Sequence, residues 1–77
     1  MEGRTVGVPP SVNLTINGAE RVFDHEPTIG EVLVQLGIAP SAVAVEVNRT
    51  IVPRRLHSRA RLNQGDAVEV VTFVGGG

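Results

Sequence analysis

The sequence of 77 residues contains no cysteine, no lysine, no tryptophan and no tyrosine. The absence of cysteine excludes a disulfide scaffold, a zinc finger and a thiol nucleophile. All seven basic residues are arginine, so there is no Schiff-base lysine, no P-loop lysine and no internal lysine to accept a conjugated protein. The two histidines, His25 and His57, are isolated in the sequence, and we expect both to be surface residues without a catalytic or metal-binding role.

Long apolar runs and excess charge are also missing. No stretch approaches the roughly 18 apolar residues of a membrane span, so we expect no membrane association of that kind. The formal net charge of −1 argues against a nucleic-acid-binding protein. The first residues contain no apolar segment typical of a signal peptide, and we therefore expect a cytoplasmic location.

Apolar residues make up 42% of the chain, yet Phe23 and Phe73 are its only aromatic residues. A single small domain with a core of valine, leucine and isoleucine is therefore expected. Residues 1–11 are rich in glycine and proline and are predicted to be a disordered leader. The domain is predicted to comprise residues 12–74, followed by a flexible glycine tail at 75–77.

The first half of the domain is predicted to be a hairpin. Val12–Ile16 alternates apolar and polar residues, and the following Asn17-Gly18 is typical of a type I′ turn. A second strand is expected over Ala19–Phe23. A two-residue loop places Arg21 opposite Leu14 on the core side, where an edge position lets the arginine stem cover apolar surface.

A helix with clear ends is predicted next. Thr28 and Glu31 fit a capping box at its start, and Gly37 suits the left-handed position at its end, followed by Ile38 and the blocking Pro40. One apolar stripe, which must be buried, contains Ile29, Val32, Leu33 and Leu36.

The second half is predicted to contain three more strands. Val43–Val47 and Thr50–Val52 flank an Asn48-Arg49 turn, and the last strand covers residues 67–74. Residues 54–62 form an arginine-rich loop or short helical turn at the sheet edge. Val68, Val70 and Thr72 of the last strand are expected to face the core, which leaves Glu69, Val71 and Phe73 on the opposite face.

These elements predict an α+β fold. One helix stripe must be buried and one sheet face is available to bury it, so the simplest arrangement is a mixed sheet of four or five strands that clasps the helix. Right-handed connections favour placing the last strand beside the first. This is the ubiquitin-like β-grasp arrangement.

The sequence ends in Gly75-Gly76-Gly77 after Phe73 and Val74. Glycines have no side chain to pack and lose much conformational entropy when they are ordered. Three extended glycines span roughly 10 Å, however, and are slender enough to enter a narrow channel. A terminus without a function has the same composition, and the residues alone leave both interpretations open.

The pattern as a whole resembles the ThiS family, the sulfur carriers of thiamine (thiazole) biosynthesis. The resemblance covers residues 12–77 and rests on five segments. They are Asn17-Gly18, Val47-Asn48, Ile51-Val52-Pro53-Arg54, Gly65-Asp66 and the terminal glycines.

The resemblance implies a carrier and co-substrate rather than an enzyme. The main-chain carboxylate of Gly77 would be adenylated by an ubiquitin-activating-like adenylyltransferase that uses ATP, so the carrier itself would bind no cofactor. A sulfur donor such as a cysteine desulfurase would convert the adenylate to a thiocarboxylate, and thiazole synthase would accept the sulfur. Partners would contact Val71, Phe73, Val74, Gly75 and Gly76.

Three questions stay open at this point. The exposed Val71 and Phe73 are expected to form a docking patch beside the tail, although single surface apolar residues are common. The four arginines of residues 54–61 are more easily explained as a solvated loop than as a docking surface for an acidic partner. The alternative functions are a small subunit like that of molybdopterin synthase and a protein modifier like ubiquitin.

Overall fold

A computed structural model describes residues 11–73 of the chain. Along the sequence, two strand pairs and a final strand are separated by helical segments. The strands are β1 (Val12–Ile16), β2 (Ala19–Phe23), β3 (Val43–Val47), β4 (Thr50–Val52) and β5 (Ala67–Thr72), and the α-helix is α1 (Ile29–Leu36). Short 3₁₀ helices cover Pro40–Ala42 and Arg54–Leu56. No helix in this part of the chain is long and apolar enough to cross a bilayer.

The five strands form one mixed sheet in the order β2-β1-β5-β3-β4. The first and last strands, β1 and β5, are parallel neighbours at the centre, whereas the other neighbouring pairs are antiparallel. The predicted α+β β-grasp fold is confirmed, including the position of the last strand beside the first.

Two hairpin turns use left-handed backbone conformations. Asn17 and Gly18 have φ values of 53° and 84°, and Asn48 and Arg49 have values of 51° and 73°. The first turn fixes the predicted register of β1 and β2, in which Leu14 is paired with Arg21. Arg21 is exposed because β2 is an edge strand.

Both predicted ends of α1 are confirmed. The amide N–H of Glu31 donates to Oγ1 of Thr28 (3.1 Å), and the Glu31 carboxylate accepts from the Thr28 amide (2.8 Å), which completes the capping box. Gly37 has φ 73°, and the amide of Ile38 donates to the Leu33 carbonyl (3.0 Å), as in a Schellman motif.

The core lies between α1 and one face of the sheet, and it is almost entirely aliphatic. Leu62, from the segment before β5, also belongs to the core. The buried apolar residues are Val12, Leu14, Ile16, Phe23, Ile29, Val32, Leu33, Val43, Val45, Leu62, Val68 and Val70.

Two predictions about individual positions are wrong. Thr72 is exposed although it is paired with the buried Val43, because it is the last residue of β5. His57 was expected on the surface but is only 5% exposed, because its segment is hydrogen-bonded to the start of α1 and its ring contacts the Val52 carbonyl of β4. The predictions for residues 1–10, Val74 and the 75–77 tail lie outside the described residues.

Candidate functional site

The end of β5 holds the two predicted site residues that the structure describes. Val71 is 51% exposed and Phe73 is 63% exposed, as expected for a face that α1 does not cover. The amide of Phe73 donates to the Ala42 carbonyl (2.9 Å) and continues the β3–β5 pairing by one residue. The chain is therefore held in place up to Phe73. Val74, Gly75, Gly76 and Gly77 lie outside the described residues.

The side chain of Asn17 holds β5 from the other side. Its Oδ1 accepts from the Val70 amide (2.7 Å), and its Nδ2 donates to the Val70 carbonyl (3.3 Å). The Asn17 amide also donates to the Val68 carbonyl (2.8 Å). The asparagine side chain thus mimics a further strand residue and extends the β1–β5 ladder toward Val71 and Phe73.

We define the open face as the sheet surface opposite α1. Val71 is paired with Ala44 on this face, and Glu69 is paired with Glu46, which is itself paired with Ile51 of β4. Ile51 is 65% exposed. The open face therefore carries an apolar area next to the root of the tail and a pair of carboxylates farther along β5.

The sequence pattern did not predict the exposure of Ile51 or the pairing of Glu46 with Glu69. Strand alternation placed Glu69 on the open face, but the pairing register that brings Glu46 opposite it depends on tertiary contacts. Like charges directly opposite each other destabilise a sheet. Within residues 11–73, neither carboxylate takes part in a salt bridge.

A polar cluster joins the Asn48-Arg49 turn to the start of β5. Asn48 donates through Nδ2 to Asp66 (2.9 Å) and accepts through Oδ1 from the Ala67 amide (3.0 Å). The other carboxylate oxygen of Asp66 accepts from the Asn63 amide (2.8 Å). Two of the segments that carry the family resemblance, Val47-Asn48 and Gly65-Asp66, therefore meet in space, and the hydrogen bonds of Asn48 and Asp66 join the turn to the start of β5.

The histidines differ from each other in environment. His25 is exposed, as predicted, and its ring contacts the carboxylates of Asp24 (2.7 Å) and Glu31 (3.3 Å). The hydrogen bonds to Asp24 and then to Glu31 raise the pKa of His25. His57 contacts the Val52 carbonyl through Nε2 (3.0 Å), and its buried Nδ1 has no hydrogen-bond partner in the described part of the chain.

Residues 11–73 contain no group of three or more histidine, cysteine, aspartate or glutamate side chains that could hold a metal ion. The features gathered near the end of β5 are apolar side chains, a hydrogen-bonded strand and, farther along, two carboxylates. Such an arrangement is suited to binding another macromolecule.

Comparison with solved structures identifies close structural relatives. A crystal structure from Geobacter metallireducens, described as a thiamine biosynthesis protein (ThiS), has a TM-score of 0.72 and 35% sequence identity, covering 86% of this chain and 100% of that one. A solution structure of a thiamine biosynthesis protein from the same organism has a TM-score of 0.70 and 35% identity, covering 86% and 88%.

Curated relatives include longer proteins. A thiazole synthase of Paramagnetospirillum magneticum is 42% identical over 66 residues, and one of Magnetococcus marinus is 36% identical. Each match covers 86% of this chain, which spans only about a fifth (20%) of the length of either protein. The uncharacterized protein ycf40 of Porphyra purpurea is 31% identical, over 87% of this chain and 94% of its own length.

The family model called ThiS family matches residues 13–77, which is all but the first residue of the domain together with the glycine tail. The match agrees with the strand order, with the two structures from Geobacter metallireducens and with the segments that meet at Asn48 and Asp66. The chain therefore belongs to the ThiS family.

Proposed function

We propose that this chain is a sulfur carrier in thiamine biosynthesis and that the main-chain carboxylate of Gly77 carries the sulfur. The observation that carries the proposal is the family match, because it includes the glycine tail as well as the fold. The names of the two solved structures support the same pathway.

The first chemical step is activation of a poor electrophile. A carboxylate oxygen of Gly77 attacks the α-phosphorus of ATP, pyrophosphate leaves, and a mixed anhydride with AMP forms. The enzyme that performs this step is an ubiquitin-activating-like adenylyltransferase, which binds the ATP. The chain acts as the co-substrate and not as the catalyst.

Sulfur then replaces AMP at the same carbonyl carbon. The terminal sulfur of a persulfide, such as that of a cysteine desulfurase, attacks the anhydride and AMP leaves. A thiol reduces the resulting S–S bond, is itself oxidised to a disulfide, and releases the thiocarboxylate. Dividing acyl transfer into two steps is the usual advantage of a covalent intermediate.

The proposed acceptor of the sulfur is thiazole synthase, and the carrier returns with its carboxylate. The names of two relatives support this partner, since each thiazole synthase includes a region similar to this chain. The cytoplasm is the proposed location of the cycle.

Val71 and Phe73 form the proposed docking patch for both partners. Their exposure and their position at the end of β5 and directly after it support this role. Glycine at positions 75 and 76 keeps the segment that follows slender, because any Cβ there would widen a chain that must enter a narrow channel.

ATP–pyrophosphate exchange with the cognate adenylyltransferase tests this proposal. Gly76→Val should leave the fold intact, as judged by circular dichroism, and should abolish exchange because its side chain blocks entry. Ala19→Val is the matched control, since it also adds methyl groups but at an exposed position of the edge strand β2. Exchange by Gly76→Val at the wild-type rate would contradict the proposal.

A further inference from the structure

The segment from Pro53 to Leu62 carries the highest local charge of the chain. It contains Arg54, Arg55, Arg59 and Arg61 and no acidic residue, although the net charge of the whole chain is −1. All four arginine side chains are exposed. From the sequence alone, a solvated loop was the simpler explanation.

The structure shows an anchored segment instead of a loose loop. The carbonyls of His57 and Ala60 accept from the first amides of α1, those of Gly30 (2.9 Å) and Ile29 (3.0 Å), and the Leu62 amide donates to Pro27 (2.8 Å). The side chains of His57 and Leu62 are buried. These contacts fix the part of the segment that contains Arg59 and Arg61. Arg54 and Arg55 lie just before it, in the 3₁₀ helix Arg54–Leu56, where the amides of Leu56 and His57 donate to the carbonyls of Pro53 (2.9 Å) and Arg54 (3.0 Å).

The sheet topology places the start of this segment at the end of the sheet where Phe73 lies. Strands β4 and β5 run in the same direction on either side of β3, and Val52 and Val70 are both paired with Val45. The residues that follow β4 therefore lie at the same end of the sheet as Phe73. Strands β4 and β5 are two strand spacings apart, a distance of about 10 Å.

We propose that Arg54 and Arg55 form a second docking contact, with carboxylates that border the tail-accepting channel of the activating adenylyltransferase. This inference rests on the proposed function, since it deepens the account of how the tail is delivered. A guanidinium group binds a carboxylate through two parallel hydrogen bonds. Two such groups beside the tail would orient the carrier as the tail enters.

The charges on the neighbouring open face favour an acidic protein surface over nucleic acid. Glu46 and Glu69 lie on the same sheet, two strands or fewer from β4, and a phosphate backbone laid across the sheet would meet both carboxylates. A protein partner can instead place carboxylates opposite Arg54 and Arg55 and other groups opposite the glutamates. Complementary charges of this kind fix orientation and speed association.

The test compares two double variants that remove equal charge. Arg54→Gln/Arg55→Gln removes the proposed contact. Arg21→Gln/Arg49→Gln is the matched control, because Arg21 lies on the far edge strand and Arg49 in the turn at the other end of β3. For each full-length protein, the half-saturating concentration in ATP–pyrophosphate exchange is measured at several salt concentrations, and the urea midpoint is measured to check the fold.

The expected result is a half-saturating concentration about tenfold higher for Arg54→Gln/Arg55→Gln at low salt, with weaker salt dependence and a maximal rate and urea midpoint close to wild type. The control pair should change the half-saturating concentration much less. Equal effects of the two pairs, or no effect of Arg54→Gln/Arg55→Gln, would overturn this inference and leave the proposed function standing. Failure of the wild-type chain to support exchange would contradict the proposed function and the inference with it.

Discussion

The face of the sheet that packs on α1 and the open face are built from the same strands, but they carry different residues. The covered face contributes seven buried aliphatic residues to the core, namely Val12, Leu14, Ile16, Val43, Val45, Val68 and Val70. The open face carries Val71, Ile51 and the paired Glu46 and Glu69. The covered face accounts for stability, whereas the open face combines exposed apolar groups with like charges, features that favour recognition over stability.

The largest expected effect is on the free energy of unfolding, and it should differ between substitutions at two adjacent residues of α1. Leu33 is fully buried and Val34 is 78% exposed. Leu33→Ala should lower the free energy of unfolding by about 2–5 kcal/mol through lost contacts and a residual cavity. Val34→Ala should change it by no more than about 0.5 kcal/mol. Urea titration of both variants measures the difference, and similar losses would show that the core is placed incorrectly.

The second prediction concerns binding rather than stability, and it compares an exposed residue of the open face with an exposed residue of α1. Val71→Ser should weaken binding to the adenylyltransferase by about tenfold, because an apolar contact at the centre of an interface is lost. Val34→Ser is the control, with the same chemical change on the outer surface of the helix. Isothermal titration calorimetry gives both affinities. Equal affinities for the two variants would remove Val71 from the docking patch.

The third prediction concerns backbone strain at Arg49, which has a left-handed conformation with φ 73°. Arg49→Gly should raise the free energy of unfolding by about 0.5–1 kcal/mol, since glycine adopts this conformation without a Cβ clash. Arg49→Ala removes the same charge but keeps the Cβ, so it should give no gain. A stabilisation of equal size in both variants would assign the effect to charge rather than to the backbone.

The smallest expected effect is the pH dependence of stability from His25. Its pKa is raised above the ordinary value of 6.5 by hydrogen bonds to Asp24 and Glu31. The stabilisation is therefore fully present below 6.5 and is lost as pH rises through the raised pKa. The pKa values of Asp24 and Glu31 are lowered, so their contribution is lost only in acid.

Urea midpoints measured at about pH 5.5 and about pH 8.5 test this coupling. The wild-type midpoint should decrease slightly between the two conditions, and His25→Gln should show a smaller decrease. An identical decrease in both proteins would mean that another group is responsible.

Local patterns in the sequence predicted the elements that depend on neighbouring residues. The Asn17-Gly18 turn, the capping box of Thr28 and Glu31, and the left-handed Gly37 all have the predicted conformations. Each is decided by interactions within a few residues, so the sequence contains the required information.

Positions decided by contacts between distant segments were predicted less well. The sequence pattern gave no sign that His57 is buried, because its environment is formed by α1 and β4 together. The exposure of Thr72 depends on where β5 ends. The pairing of Glu46 with Glu69 depends on the register of β3 and β5. Of the candidate site, Val71 and Phe73 were correctly placed on the exposed face by strand alternation alone.

The most direct test of the central claim is an intact-mass measurement on the protein isolated from its native host during thiamine synthesis. We expect a species heavier than the carboxylate form by about 16 Da, the difference between sulfur and oxygen, with the change confined to the peptide that contains Gly77. The Gly76→Val protein from the same host should lack this species. Detection of only the carboxylate form, or of isopeptide-linked adducts with other proteins in its place, would contradict the sulfur-carrier account.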